Sequence, residues 1–213
     1  MAKPQTAETK RPAPRLYLVT PVIEDAAGFS GMLRDALAAA DVAAVLLRLK
    51  PAGERDLINR IKVLAPLVQS RDTALVLDGH PEIVAHSGAD GAHLTGIEAF
   101  TAAVDGLKPA RIAGCGGLNS RDDAMLAGER GADYVMFGQL EAEQHRSSFE
   151  SVIMRVEWWS ELFTIPCVGF AANPQEMAQL LSAGADFIAV GHVWGDMTAL
   201  AECSRLLAPE QVP

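Results

Sequence analysis

Gly131-Ala132-Asp133-Tyr134-Val135-Met136-Phe137-Gly138 carries the reading of the fold, because its opening recurs twice more along the chain. The same Gly-Ala-Asp stands at Gly88 to Asp90, before Gly91-Ala92-His93-Leu94, and at Gly184 to Asp186, before Phe187. Each copy sits between a segment of helical spacing and a short apolar run. The glycine suits a left-handed helix end, and the next two residues turn the chain into a strand. The three aspartates therefore belong to the amino-terminal face of the strands and read as structural.

Working outward, eight apolar runs read as strands: Leu16 to Thr20, Ala43 to Leu49, Ala74 to Leu77, Gly91 to Leu94, Arg111 to Cys115, Tyr134 to Gly138, Cys167 to Phe170 and Phe187 to Gly191. Helical spacing fills the gaps, as in Met32, Leu33, Ala36, Leu37 and Ala40. Ala178, Leu180 and Leu181 follow Asn173-Pro174, a cap followed by a proline at the first helical position. Strand then helix, eight times, predicts parallel β/α units closed into a (β/α)8 TIM barrel. A doubly wound open sheet uses the same grammar, but no GxGxxG follows the first strand. The expected organisation is a loose tail over 1–14 and one barrel domain over 15–213.

The chain's 213 residues suit a single barrel, and 49% hydrophobic with 21% charged residues supplies a closed core. A net charge of -9 argues against nucleic acid and against polybasic membrane binding. Cys115, Cys167 and Cys203 lie far apart without CxxC spacing, which fits a reducing, cytoplasmic setting rather than a disulfide framework. The segment from Met1 to Pro14 lacks the apolar run of a signal peptide.

Chemistry in a barrel sits at the carboxyl ends of the strands. Leu46, Arg48 and Lys50 share one parity, so alternation predicts two cations side by side at the mouth, where an anion would relieve their repulsion. Neutralisation by acidic neighbours such as Asp78 is the structural alternative. Gly116, Gly117, Gly138 and Gly191 cluster at the same face, where missing side chains leave room for a ligand or simply turn tight loops. Ala171, Ala172, Asn173, Gly191 and His192 are candidates for a phosphate held by the last two loops.

Asp78 and Glu98 form a candidate Mg2+ pair. His80, His93 and His192 stand near strand ends without any zinc spacing and read as wall residues. Cys115 offers a pocket thiol or an inert core residue. The polar connection Gln139 to Ser148, with Glu141, Glu143, His145 and Arg146, reads as a lid or a solvated loop. Trp158 and Trp159 in the helix beyond it are expected to pack on the barrel or on a partner subunit.

Taken in order, Leu16-Tyr17-Leu18-Val19-Thr20, Arg48-Leu49-Lys50, Gly88 to Leu94, Gly131 to Gly138 and Ile165-Pro166-Cys167-Val168 resemble the thiamine phosphate synthase and thiazole tautomerase family of barrels. The similarity runs from Leu16 to Val193. The resemblance implies a synthase that joins a pyrimidine pyrophosphate to a thiazole phosphate and releases pyrophosphate with Mg2+ assistance. Arg48 and Lys50 would grip the pyrophosphate. His80, Cys115, Gly116, Gly117, Gly138, Ala171, Ala172, Gly191 and His192, with Asp78, would line the substrate site.

The match thins at the mouth. Leu46 stands at the family's glutamine, and Asp78-Gly79-His80 at its Asn-Asp-Arg. Glu98 stands at its second metal aspartate and Gly116 at its serine. Its threonine and lysine motif after the sixth strand is absent, with Arg146 the nearest cation. Ala171-Ala172 replaces a diglycine, His192 a serine, and Leu118 the tautomerase histidine. A catalytically degenerate family member, acting as a phosphate-ligand binding or regulatory barrel, is the second reading. A sugar-phosphate isomerase or aldolase ranks last, since only Lys50 offers a strand-end amine. A homodimer is expected from the resemblance.

Overall fold

The computed structural model describes residues 12–138 and 148–208. Its strands are β1 (Arg15–Ile23), β2 (Val42–Leu49), β3 (Ala74–Asp78), β4 (Gly91–Thr95), β5 (Ile112–Gly116), β6 (Tyr134–Phe137), β7 (Cys167–Ala171) and β8 (Phe187–Val190). They pair in parallel, each with the next, and β8 returns to β1 to close the barrel. The helices are α1 (Ala26–Ala39), α2 (Glu54–Gln69), α3 (Val84–Ser87), α4 (Ile97–Leu107), α5 (Arg121–Glu129), α6 (Phe149–Leu162), α7 (Pro174–Ser182) and α8 (Met197–Leu207). The expected eight β/α units are present. The third is stunted: a 3-10 turn over Pro81–Ile83 and the single turn of α3 replace a full helix.

The Gly-Ala-Asp repeats act as two-pronged clamps on the lower rim. Gly88, Gly131 and Gly184 have φ of 87°, 92° and 88°, the left-handed conformation that ends each helix. The following aspartate then grips one residue of the preceding strand twice. Asp90 donates its N–H to the Leu75 carbonyl at 2.9 Å and accepts the Leu75 N–H on Oδ2 at 2.7 Å. Asp133 does the same to Ala113, with Oδ2 at 2.8 Å, and Asp186 to Cys167, also at 2.8 Å. These carboxylates satisfy strand N–H groups that would otherwise face the barrel's underside unpaired. Their structural assignment from sequence holds.

Alternation sorts the core into two layers. Leu16, Leu18, Val45, Leu47, Leu75, Leu77, Cys115, Val135, Cys167 and Ile188 face the helices, while Tyr17, Val19, Ala44, Leu46, Val76, Tyr134, Met136, Val168 and Ala189 fill the lumen. The helix capping read from sequence is present: Asn173 Oδ1 accepts from the Glu176 N–H at 2.9 Å, with Pro174 at the first position. Of the apolar residues read in the first helix, Leu33, Ala36 and Leu37 are buried, whereas Met32 is 41% exposed. Trp159 is fully buried against Phe163, its indole N–H on the Ile165 carbonyl at 2.7 Å, while Trp158 lies under Arg121. Both tryptophans pack on the barrel's own flank.

Candidate active site

The upper rim is shaped first by a β-bulge. Val19 pairs with Leu46 but Val22 with Arg48, so β1 carries one extra residue there. The bulge is satisfied from both sides. Thr20 Oγ1 accepts the Arg48 backbone N–H at 2.9 Å, and the Trp194 indole donates to the Val19 carbonyl at 2.5 Å, with its ring against Phe29. The loop after β8 is thereby tied across the mouth to β1. Sequence reading missed Trp194, whose only signal was an aromatic just beyond the last strand.

Beside this bulge lies a cavity of about 240 Å³ lined by Val19, Thr20, Pro21, Arg48, Phe170, Ala171, Ala172, Gly191 and His192. It brings together five residues expected at the site: Arg48, Ala171, Ala172, Gly191 and His192. Burial lowers the His192 pKa, opposed by the charges of Asp196, Glu176 and Glu202. The Arg48 Nε is buried and has no hydrogen-bond partner among the described residues; its ion pair with Asp78 Oδ2 spans 3.4 Å. A buried guanidinium nitrogen without an acceptor favours an incoming anion.

Several expected members stand elsewhere. The paired cations do not form: β2 ends at Leu49, so Lys50 escapes the alternation and bonds the Glu24 carboxylate at 2.7 Å on the exposed rim. Cys115 faces the helix layer, where burial pushes its thiol up to about 12, so it is a core residue and not a pocket thiol. The space expected at Gly116 is filled, because a Cβ there would lie 2.6 Å from the His93 Nε2. Gly117 and Gly138 turn the chain with φ of 63° and 96°. The Ala172 N–H is already taken by Glu176 Oε2 at 2.8 Å, so this loop holds its own carboxylate where a phosphate was expected.

Asp78 and His80 line a separate recess of about 720 Å³ with Leu94, Thr95 and the small residues of α4. His80 holds the left-handed conformation at φ 56°, its Nδ1 3.2 Å from Glu82. Glu98 opens α4 and lines neither recess. With Asp78 paired to Arg48, and no group of three acidic, histidine or cysteine side chains converging among the described residues, the expected Mg2+ pair does not form an assembled metal site. The residues Glu141, Glu143, His145 and Arg146 lie outside the described residues.

Two further cavities belong to the underside. One of about 530 Å³ is lined by Asp90, Asp133, Lys108 and Arg111, groups already committed to rim bonds. Another of about 280 Å³, apolar, lies beneath Tyr17 and Tyr134 in the lumen.

The model of the family described as thiamine monophosphate synthase matches residues 16–193. The chain belongs to that family. The thiamine-phosphate synthase of Rhodospirillum centenum is 40% identical over 203 residues, covering 91% of this chain and 97% of the relative. That of Hyphomonas neptunium is 34% identical, covering 86% and 87%. Among solved structures, the thiamine phosphate pyrophosphorylase from Pyrococcus furiosus superimposes with a TM-score of 0.76 at 24% identity, covering 91% and 95%. A geranylgeranylglyceryl phosphate synthase from Thermoplasma acidophilum reaches 0.66 at 14% identity and speaks for the barrel alone. Among the described residues no helix is long and apolar enough to cross a membrane.

Proposed function

We propose that the chain is a thiamine-phosphate synthase of thiamine biosynthesis, joining a pyrimidine delivered as its pyrophosphate to a thiazole phosphate and releasing pyrophosphate. The observation that carries this reading is the mouth cavity in which the half-buried Arg48 faces Gly191 and His192. Gly191 would lie open to a phosphate, since a Cβ there meets nothing closer than the Val19 carbonyl at 3.5 Å. Arg48 supplies a forked donor for phosphate oxygens, and displacing Asp78 from it is the cost of binding. Lys50 lies outside this cavity and contributes long-range attraction from the rim.

The Mg2+ implied by the resemblance would draw on Asp78 and Glu98, which line no common cavity, so no step is routed through it. The ligand is a phosphorylated small molecule; a homodimer in the cytoplasm is part of the same proposal. A second reading, a barrel that binds such ligands without turnover, is favoured by one contact: Glu176 occupies the Ala172 N–H. Calorimetric titration with inorganic pyrophosphate and with thiazole phosphate tests the anion site. Both should bind the wild type and bind Arg48→Ala at least about tenfold more weakly. Equal affinity for the two proteins would remove Arg48 from the site.

A further inference from the structure

The mouth cavity has one wall on the β1 bulge, at Val19, Thr20 and Pro21, and another on the β8 loop, at Gly191 and His192, with Arg48 beside the bulge on β2. The two walls meet at the Val19 carbonyl. The register of β1 with β8 ends at Leu18 and Val190, and that of β1 with β2 skips from Val19 to Val22, so this oxygen stands where both ladders stop. A Cβ on Gly191 would lie 3.5 Å from it, and the Trp194 indole N–H donates to it at 2.5 Å. A carbonyl between two interrupted ladders needs such a donor.

Trp194 is fixed from behind. Its ring packs on Phe29 of α1, with 5.0 Å between centroids. Its backbone sits in a turn closed by the Asp196 N–H on the Val193 carbonyl at 3.2 Å, with Gly195 at φ 80°. Asp196 then caps α8, its Oδ1 accepting the Thr198 and Ala199 N–H groups at 2.9 and 3.0 Å. On the far side of the bulge the Thr20 hydroxyl accepts the Arg48 N–H at 2.9 Å. A continuous path of backbone and hydrogen bonds thus runs from the start of α8 through Trp194, Val19 and Thr20 to Arg48. Trp194 lies outside the cavity lining, and indole has one donor and no acceptor, which Val19 already engages. It can act on a ligand only through the walls.

We propose that Trp194 is a positioning residue of the mouth: its bond to the Val19 carbonyl sets the spacing between the β1 bulge and the β8 loop, and so the placement of Arg48 against Gly191 and His192. The inference rests on the reading that this cavity holds a phosphorylated ligand. Small displacements of groups that grip one ligand from two sides are costly, which gives a residue outside the cavity a measurable share in binding.

Trp194→Phe, which keeps a ring against Phe29 and removes the N–H, should bind inorganic pyrophosphate about tenfold more weakly by calorimetry. The same change made in Arg48→Ala should cost less than about threefold, because the group it places is already gone. Nitrogen-15 NMR of tryptophan-labelled protein supplies a signature on the wild type. Pyrophosphate should move the indole N–H resonance of Trp194 and leave those of Trp158 and Trp159, on the flank of α6, in place. Pyrophosphate binding with an unmoved Trp194 resonance overturns the inference and leaves the anion site standing. Wild-type affinity in Trp194→Phe, or an equal penalty with and without Arg48, does the same. Absence of pyrophosphate binding by the wild type removes the parent reading and this one with it.

Discussion

Arg48 Nε and Asp78 Oδ2 stand 3.4 Å apart across the β2 and β3 ends, both side chains about a quarter exposed, so the cation expected to hold an anion is held by a carboxylate of its own chain. Asp78 is then a competitor for the ligand as well as a tether for Arg48. Asp78→Asn should strengthen binding of inorganic pyrophosphate in magnesium-free buffer by roughly threefold to tenfold, since the guanidinium no longer has to give up a charged partner. Weaker binding, measured by calorimetry, would mean that Asp78 positions Arg48 more than it opposes the anion.

Glu176 gives a second competitor. Its carboxylate accepts the Ala172 N–H at 2.8 Å while its own N–H is capped by Asn173. Glu176→Ala should bare that N–H and tighten phosphate binding, while removing about 1 kcal/mol of helix-start stability. The two readouts, calorimetric affinity and chemical denaturation, should move in opposite directions.

The clamp on the lower rim should behave independently of the mouth. Asp186→Ala removes the acceptor of the Cys167 N–H and should cost about 1–3 kcal/mol in urea unfolding with ligand affinity unchanged. A change in affinity as large as that of Arg48→Ala would contradict the assignment of Asp186 to the structural face.

Burial holds His93 neutral in the folded protein down to about pH 4, against an ordinary value of 6.5. Its folded pKa is depressed, so the unfolded chain takes up the proton first as pH falls. Stability should therefore decline below about pH 6.5 and keep declining to about pH 4, by about 3 kcal/mol from this residue. His93→Gln should flatten that part of the profile; an unchanged profile would show that the histidine is protonated inside the barrel.

The fold was legible because two signals are local: the apolar runs, and the three Gly-Ala-Asp turns, whose glycines take the left-handed conformation anticipated for them. The site was legible only in part. Arg48 obeys strand alternation and reaches the cavity, but Lys50 lies one residue past the end of β2, where alternation no longer governs direction. Alternation also places Cys115 outward once Gly114 and Gly116 face the lumen, so its burial among the helix-facing residues follows from strand parity. The filling of Gly116 by His93, and of the Ala172 N–H by Glu176, depends on which neighbours the closed barrel brings together, and no periodicity encodes it.

The central claim is that Arg48 and the cavity beside it serve synthesis of thiamine phosphate. The most direct measurement is product formation from the pyrimidine pyrophosphate and thiazole phosphate with Mg2+, for the wild type and for Arg48→Ala. Thiamine phosphate formed by the wild type, and reduced by about a hundredfold or more in Arg48→Ala, is the predicted result. Binding of both substrates by the wild type with no product would contradict it and leave the barrel as a ligand-binding protein.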